Sequence, residues 1–426
     1  MNSTHRKVAI LGGTRIPFCR SHTQYASASN QDMLTAALAG IVRRFDLHNE
    51  ALGDVACGAV IKHSKDWNLA RESVLGCGLS ASTPAFDLQR ACGTSLEAAI
   101  LLGNKISVGQ IDSAIAGGSD TTSDAPIVYP RAYREMLMQA YRARSMKDRL
   151  AAFTRFRPGH LVPEYPGVNE PRTKLSMGES TEMMAKEWGI SRAEQDALAL
   201  ASHEKAAAAY DSGFFADLVV PFRGASTDNN LRRDSSLEKL AKLKPAFDRK
   251  SGNGTLTAGN STPLTDGAAA VLLSSQEWAA AHNLDVQSYL TYGKVAAVDF
   301  VESEGLLMAP AYAVSAMLED ASLTLQDFDF YEIHEAFAAQ VLCTLRAWES
   351  EDFCRNKLGR DAALGSIDMT KLNVTGSSLA LGHPFAATGA RILATASKLL
   401  EQKGSGRTLI SICTAGGMGV TAIIER

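Results

Sequence analysis

Two cysteines and two histidines stand in surroundings that could give them chemistry. Cys92 lies in "FDLQRACGTSLEAAILLGNKIS", where an apolar run ends and a helical pattern begins. A thiol at a helix start faces free N–H groups and the positive end of the dipole, which favour its anion. Such a setting can bring a thiol pKa into the range of about 3.5–7.5. The plainer reading is a small core residue, the usual state of a buried cysteine. His383 stands in "GSSLALGHPFAATGARI", in a loop shaped by Gly382 and Pro384. It is either a solvated loop residue or a base carried to the cysteine loop. Cys413 leaves the apolar "LISIC" and enters "TAGGMG", where glycines let backbone N–H groups come close to a ligand. Two such groups aimed at one point make an oxyanion hole; a tight turn beside a buried thiol is the alternative. His334 and Glu335 in "YEIHEAFAAQ" sit where a strand gives way to a helix, a place from which side chains project into clefts, or they simply begin that helix. Two cysteines and two histidines could also be metal ligands, but their separations are long and no short pair anchors a site, so no metal is expected.

The rest of the composition bounds these readings. The chain has 426 residues, 46% hydrophobic and 21% charged, an ordinary globular balance. At roughly 150 residues per domain it holds two or three units. A net charge of -3 gives no case for a nucleic-acid partner. The seven cysteines are irregularly spaced, which fits reduced thiols better than a disulfide frame. No apolar run reaches the roughly 20 residues of a membrane span. "MNSTHRKVAILGG" reads as a first strand and not as a signal peptide, and a cytoplasmic location is expected.

Strand and helix patterns alternate at both ends of the chain, which implies βαβ units and a largely parallel sheet. "KVAILGG", "DVACGAVI", "TPAFDLQRA" and "DSAIAGGSD" read as strands in the first half, interleaved with helices. "QSYLTYGKVAAV", "DFDFYEI" and the start of "LNVTGSSLALGHPFAATGARILATASKLLEQKG" read as strands in the second, and "TLISICTAGGMGVTAIIE" closes as a strand pair around glycines. In both halves a loop and helix precede an apolar strand ending in Gly-Gly, so the chain reads as two similar halves. Residues 125–250 are rich in helices and polar loops and read as an insertion; within them "SRAEQDALALASHEKAAAAYDSGF" is a helix capped by Ser191 and Glu194. The expected organisation is a first half from 1–124 and 251–282, an inserted domain at 125–250, and a second half at 283–426.

Taken together, "RACGTSLEAA", "IHEAFAAQ", "LALGHPFAATGAR" and "CTAGGMG", with "KLKPAFDR" and "TLTAGNSTPLTDGAAAVLL", resemble the thiolase family in order and across nearly the whole chain. His in "HEAF", where many thiolases carry Asn, is similar to the thiolase subunits of trifunctional fatty-acid oxidation complexes and their bacterial relatives. "LSMGES", "NSTPLTDGAA" and "GHPFAATGAR" support that branch. The resemblance implies an α/β thiolase fold, with two βαβαβ halves in a layered α-β-α-β-α core and an inserted helical loop domain. It implies a thiolase acyltransferase that cleaves 3-ketoacyl-CoA, condenses acetyl-CoA, or both.

By the same resemblance Cys92 is the acyl-carrying nucleophile, His383 its base and a donor to a thioester oxyanion, and Cys413 the thiol that moves the α-carbon proton. His334 completes the first oxyanion site, and the N–H groups of Cys92 and Ala415 form the second; many thiolases have Gly where Ala415 stands. Arg232 is expected at the nucleotide end of CoA, Ala258, Gly259 and Thr262 along the pantetheine, and Met177 in the substrate pocket. CoA is a co-substrate, with no permanently bound cofactor. A homodimer or dimer of dimers is implied, with a hydratase/dehydrogenase α subunit as a further partner. Two other readings remain open here: a decarboxylating condensing synthase on the same fold, against which Cys413 argues, and a non-catalytic lipid carrier. The basic stretch 131–160, with Tyr133, Leu137, Tyr141 and Leu150 at roughly helical spacing, reads as a docked helix with a solvated face, a lid over an acyl chain, a CoA-phosphate site, or a surface for membrane or partner.

Overall fold

The computed structural model describes residues 5–165 and 167–426; the opening "MNST" lies outside the described residues. The strands are β1 (Val8–Arg15), β2 (Cys19–Arg20), β3 (Asp54–Cys57), β4 (Ala85–Asp87), β5 (Ser113–Asp120), β6 (Thr265–Ser275), β7 (Ser288–Ala297), β8 (Phe330–Ile333), β9 (Arg407–Thr414) and β10 (Met418–Glu425). They run in the order β4-β3-β5-β6-β1-β7-β10-β9-β8, with β2 pairing β6 alone. β1, β5 and β6 are buried along their whole length, as strands covered on both faces must be.

The two halves show the same order. β3-β5-β6-β1 on one side corresponds to β8-β9-β10-β7 on the other, and the sheets join where β1 meets β7 antiparallel at Val8–Leu290, Ala9–Tyr289 and Ile10–Ser288. The sheet is mixed and not largely parallel: parallel pairing is confined to β3 with β4 and β5, and to β8 with β9. β9 and β10 are joined by a turn too short for a crossover, so they must be antiparallel. β6 follows the long 125–250 segment and inserts antiparallel between β1 and β5.

Two sequence expectations change. "LNVTG", the counterpart of β4, is not a strand but a single bridge from Leu372 to Tyr331. Asn373 takes a left-handed φ of 45°, and its side chain satisfies both the N–H and the C=O of Ile333 at 2.9 Å. The side chain thus does the work of a ladder. The paired glycines also differ: Gly117 and Gly118 lie inside β5, whereas Gly416 and Gly417 form the turn after β9, with φ of 79° and 68°.

Five layers result. The helices Asn30–Arg44 and Leu69–Cys77 cover the first sheet half, and Ala309–Ala321 and Ala338–Glu349 cover the second. Between them lie Thr94–Ser107 and Thr388–Lys403, each touching the other and strands of both halves. The second is buried from Thr388 to Leu400, as a helix enclosed on all sides must be. The segment 125–250 contributes helices but, among the described residues, no strand; Arg192–Asp211 within it carries the Ser191–Glu194 capping box. Arg131–Arg142 and Met146–Ala151 form the basic stretch, with Leu137, Tyr141 and Leu150 exposed.

The inner helices meet at their N-terminal ends. Ser95 Oγ accepts the N–H of Ala390 at 2.8 Å, and a Cβ on Gly389 would overlap the Leu96 backbone nitrogen. Gly389→Ala forces these helices apart, and overpacking of this kind costs about 1–3 kcal/mol. Denaturant unfolding should show that loss. Unchanged stability would mean that the helices separate freely.

Candidate active site

Each functional side chain sits at the end of an element that explains its direction. Ala91 adopts a left-handed φ of 43°, a strained state for alanine that bends the chain sharply just before Cys92. Thr94 locks that bend: its hydroxyl donates to Ala91 O at 2.7 Å and accepts the Arg90 N–H at 2.9 Å. Cys92 is therefore held, half-buried, beside the start of the helix Thr94–Ser107. Across the interface Gly382, at φ 102°, turns the chain into His383, and the helix Thr388–Lys403 begins just after it.

These two loops converge. His383 Nε2 lies 3.1 Å from Cys92 Sγ, and its Nδ1 lies 2.7 Å from Thr388 Oγ1. His334, fully buried at the end of β8, lies beside His383 with ring centroids 4.2 Å apart and planes tilted by 48°. Its Nδ1 meets Ser378 Oγ at 2.8 Å, while Nε2 is buried without a partner among the described residues. One nitrogen of each ring and Cys92 Sγ lie within 4.8 Å of one another. Soft metals use such donors, but the thiol–imidazole contact already gives these atoms a proton-transfer partner. The N–H groups of Ala415 and of Cys92 itself both favour an anion on the Cys92 sulfur. Cys413 is buried at the end of β9, near enough that charge on Cys92 raises its pKa.

The remaining candidates divide. Arg232, Ala258 and Gly259 line a cleft of about 260 Å³ together with His203, Asn230 and Ser261. The chain from this cleft runs to Leu264, which bridges to His383. Thr262 is not among the lining residues; its N–H and hydroxyl both donate to Ala336 O at 3.0 Å, which ties the loop to the "HEAF" turn. Met177 does not line the cleft either. It starts the helix Met177–Glu187 and packs against the core cluster that contains Cys413.

Burial governs the electrostatics and corrects one expectation. The Cys92 thiol is not lowered by its helix start: desolvation pushes it up to about 12, against the opposing N–H groups of Ala415 and Cys92. Desolvation, then the Arg391 cation, push His383 down to about 3. His334 is held well below the ordinary value by desolvation, then by His383 and Arg391. The resting pair is therefore neutral thiol and neutral imidazole, suited to passing a proton during attack rather than before it.

Glu170 and Asp120 matter without being singled out in the sequence, and Glu335, named there only beside His334, gains definite partners. Glu170, buried in the inserted segment, accepts the Gly416 N–H at 2.6 Å and so holds the turn that presents Ala415. Asp120 accepts N–H groups from Val60, Ile61 and Ala386, fixing the turn after His383. Glu335 accepts from Ser202, Asn373 and Leu379 and anchors the "HEAF" turn to the His383 loop. Only their positions within or beside quoted motifs could have marked them, since their partners lie far away in the chain.

The chain matches two families, "Thiolase, N-terminal domain" over residues 8–277 and "Thiolase, C-terminal domain" over residues 286–426. It belongs to the thiolase family. It is 42% identical over 425 residues to 3-ketoacyl-CoA thiolases of Yersinia pestis (strain Pestoides F) and Yersinia pseudotuberculosis serotype O:1b (strain IP 31758), covering 98% of this chain and 97% of each relative. Among solved structures, Bacillus anthracis acetyl-CoA acetyltransferase superposes with a TM-score of 0.82 at 29% identity, covering 100% of both chains. Human mitochondrial 3-ketoacyl-CoA thiolase gives 0.81 at 27% identity, covering 99% of both.

Two measurements check the neutral pair. His383→Ala should slow alkylation of Cys92 by iodoacetamide at neutral pH by about 10²–10⁴, the scale of a lost base; mass spectrometry of the Cys92 peptide reads this. His383 also takes up its proton at lower pH when folded than when unfolded. Its contribution to stability is therefore intact above about pH 6.5 and lost as pH falls toward about 3. The stability difference between wild type and His383→Gln should rise with pH through that window. A difference that is flat or falls there would contradict a neutral imidazole.

Proposed function

We propose that this chain catalyses CoA-dependent cleavage of 3-ketoacyl-CoA to acetyl-CoA and a shortened acyl-CoA, and the reverse condensation of two acetyl-CoA, through an acyl group on Cys92. The observation that carries this reading is the 3.1 Å contact of Cys92 Sγ with His383 Nε2 beside the second buried thiol of Cys413.

The thiol proton of Cys92 passes to His383 Nε2 as the sulfur attacks the 3-keto carbon. The oxygen that becomes negative is held by the N–H groups of Cys92 and Ala415. Collapse breaks the C2–C3 bond, leaves the acyl group on Cys92, and puts the electron pair on the enolate of acetyl-CoA. The enolate oxygen is held by His383 and His334. Cys413 gives its proton to C2, completing acetyl-CoA. The Cys413 thiolate then takes the proton of incoming CoA, whose sulfur attacks the acyl group. Cys92 leaves and recovers its proton from His383. A thiol suits both halves, because it is a good nucleophile and a good leaving group between thioesters.

CoA enters as a co-substrate along the cleft of Ala258 and Gly259, from which the chain continues to Leu264 and its bridge with His383; Arg232 in the lining is charged and exposed, which supports contact with the nucleotide end. A condensing synthase would share the cysteine and two histidines, but would have no need of Cys413. The reading includes degradation of fatty acids in the cytoplasm and a homodimer or dimer of dimers. The outer edge of β4, which among the described residues pairs with β3 alone, supports pairing with a second copy. An α-subunit partner is part of the same reading, supported by the exposed apolar residues Ile127, Val128, Tyr141 and Leu150. Among the described residues no helix is long and apolar enough to cross a membrane.

Incubation with acetyl-CoA should leave an acetyl group on the Cys92 peptide. Cys413→Ala should still exchange acetyl groups between acetyl-CoA and labelled CoA, because no carbon acid is involved, while thiolysis of acetoacetyl-CoA falls by orders of magnitude. Cys92→Ala should lose both activities. Label on another cysteine, or equal losses in Cys413→Ala, would refute these assignments. Thiolysis across a ladder of 3-ketoacyl-CoA lengths then defines the substrate range.

A further inference from the structure

The buried arginine behind the two histidines has work that the catalytic cycle leaves unassigned. Arg391 is 1% exposed. Its Nη2 lies 2.6 Å from Ser378 Oγ and its Nη1 3.1 Å from Ser377 Oγ. A guanidinium has donors only. In the contact with Arg391, therefore, the Ser378 oxygen accepts. Ser378 is fully buried, and among the described residues the other partner of its hydroxyl is His334 Nδ1, at 2.8 Å. The hydroxyl proton has one acceptor to go to, and that is Nδ1. A nitrogen that accepts carries no proton, so in a neutral ring the proton sits on Nε2. Nε2 is the ring atom left buried without a partner among the described residues. The positive charge of Arg391 and the neighbouring His383 both oppose a second proton on the ring.

His383 shows the opposite arrangement. To accept the Cys92 proton its Nε2 must be bare, so its Nδ1 carries the hydrogen and donates to Thr388 Oγ1. Two adjacent rings, 4.2 Å apart, thus hold opposite tautomers, one set to accept and the other to donate.

We propose that Arg391, acting through the Ser378 hydroxyl, is a positioning residue that fixes His334 as the Nε2–H tautomer and so makes it an obligate donor to the thioester oxygen. This deepens the thiolase reading and rests on it. The donor is needed where an enolate forms, in carbon–carbon cleavage and condensation. Acyl exchange uses the other oxyanion site, built from the Cys92 and Ala415 N–H groups.

The test combines spectroscopy with kinetics. Histidine-¹⁵N protein, with His334 assigned by the signal lost in His334→Asn, should show the Nε2–H tautomer in two-bond ¹H–¹⁵N correlations. Ser378→Ala should shift His334 toward Nδ1–H. It should lower kcat for thiolysis of acetoacetyl-CoA by about 10²–10³, the scale of one oxyanion donor, and reduce acetyl exchange far less. Ser378→Thr, which keeps the hydroxyl, should restore the Nε2–H signal and most of the thiolysis. Arg391→Met should resemble Ser378→Ala in its spectrum; if it does not fold, the Ser378 pair carries the test. An Nδ1–H ring in wild type, undiminished thiolysis in Ser378→Ala, or equal losses of thiolysis and exchange would overturn the proposal. A wild-type protein without thiolysis would instead refute the thiolase reading, and the tautomer spectrum would still report whether Arg391 and Ser378 set the ring.

Discussion

The contact between Cys92 and His383 joins two residues 291 positions apart, and most of the fold can be understood as the frame that keeps them together. Each stands beside the start of an inner helix, one from each half, and those helices touch over Gly389 because no side chain intervenes. The β1–β7 seam makes the two sheet halves continuous. A small rotation of one half against the other would open the thiol–imidazole contact. Close packing resists it, since interiors transmit strain and do not deform smoothly.

Burial sets how the site operates. It raises the thiol of Cys92 and depresses both histidines, so proton transfer starts from neutral partners. In a site this buried, fixed N–H donors meet little competing water, the setting in which electrostatic stabilisation of an anion is strongest. Arg391 is a cation in the same core, lowered to about 10 chiefly by desolvation, and Glu332 near it is raised to about 8 for the same reason. Both Glu332 carboxyl oxygens are buried without partners among the described residues. Such groups cost stability unless they are hydrogen-bonded or paired, and the Arg391 guanidinium is held by the Ser377 and Ser378 hydroxyls.

The segment 125–250 adds no strand among the described residues, yet it supports the site. Glu170 holds the turn that presents Ala415, Ser202 helps seat Glu335, and Arg232 stands over the cleft beside Ala258 and Gly259. The turn that presents Ala415 and the cleft beside Arg232 therefore depend on chain within 125–250. Loops on a rigid scaffold are where specificity normally resides.

The sequence by itself determined the reactive types and their local settings: a thiol before a helix, an imidazole in a Gly-Pro loop, and a second thiol at a glycine turn. It also carried the doubled order of elements and the family resemblance, because periodicity, capping and turn chemistry are local. Tertiary structure alone decided the rest. "LNVTG" has strand composition, but the Asn373 side chain takes the place of a ladder. The sheet is mixed because β6 and β10 enter antiparallel, a matter of where the chain returns. Thr262 turns to Ala336 and Met177 to the core, which no motif spacing reveals. The helix start just after Cys92 promised a lowered thiol pKa, and desolvation reversed it, because burial is a property of everything packed around a residue and not of its neighbours in sequence. Arg391 could be read only as the end of "TGAR" until the fold set its guanidinium against Ser378, since hydrogen-bond partners far apart in the chain exist only once it has folded.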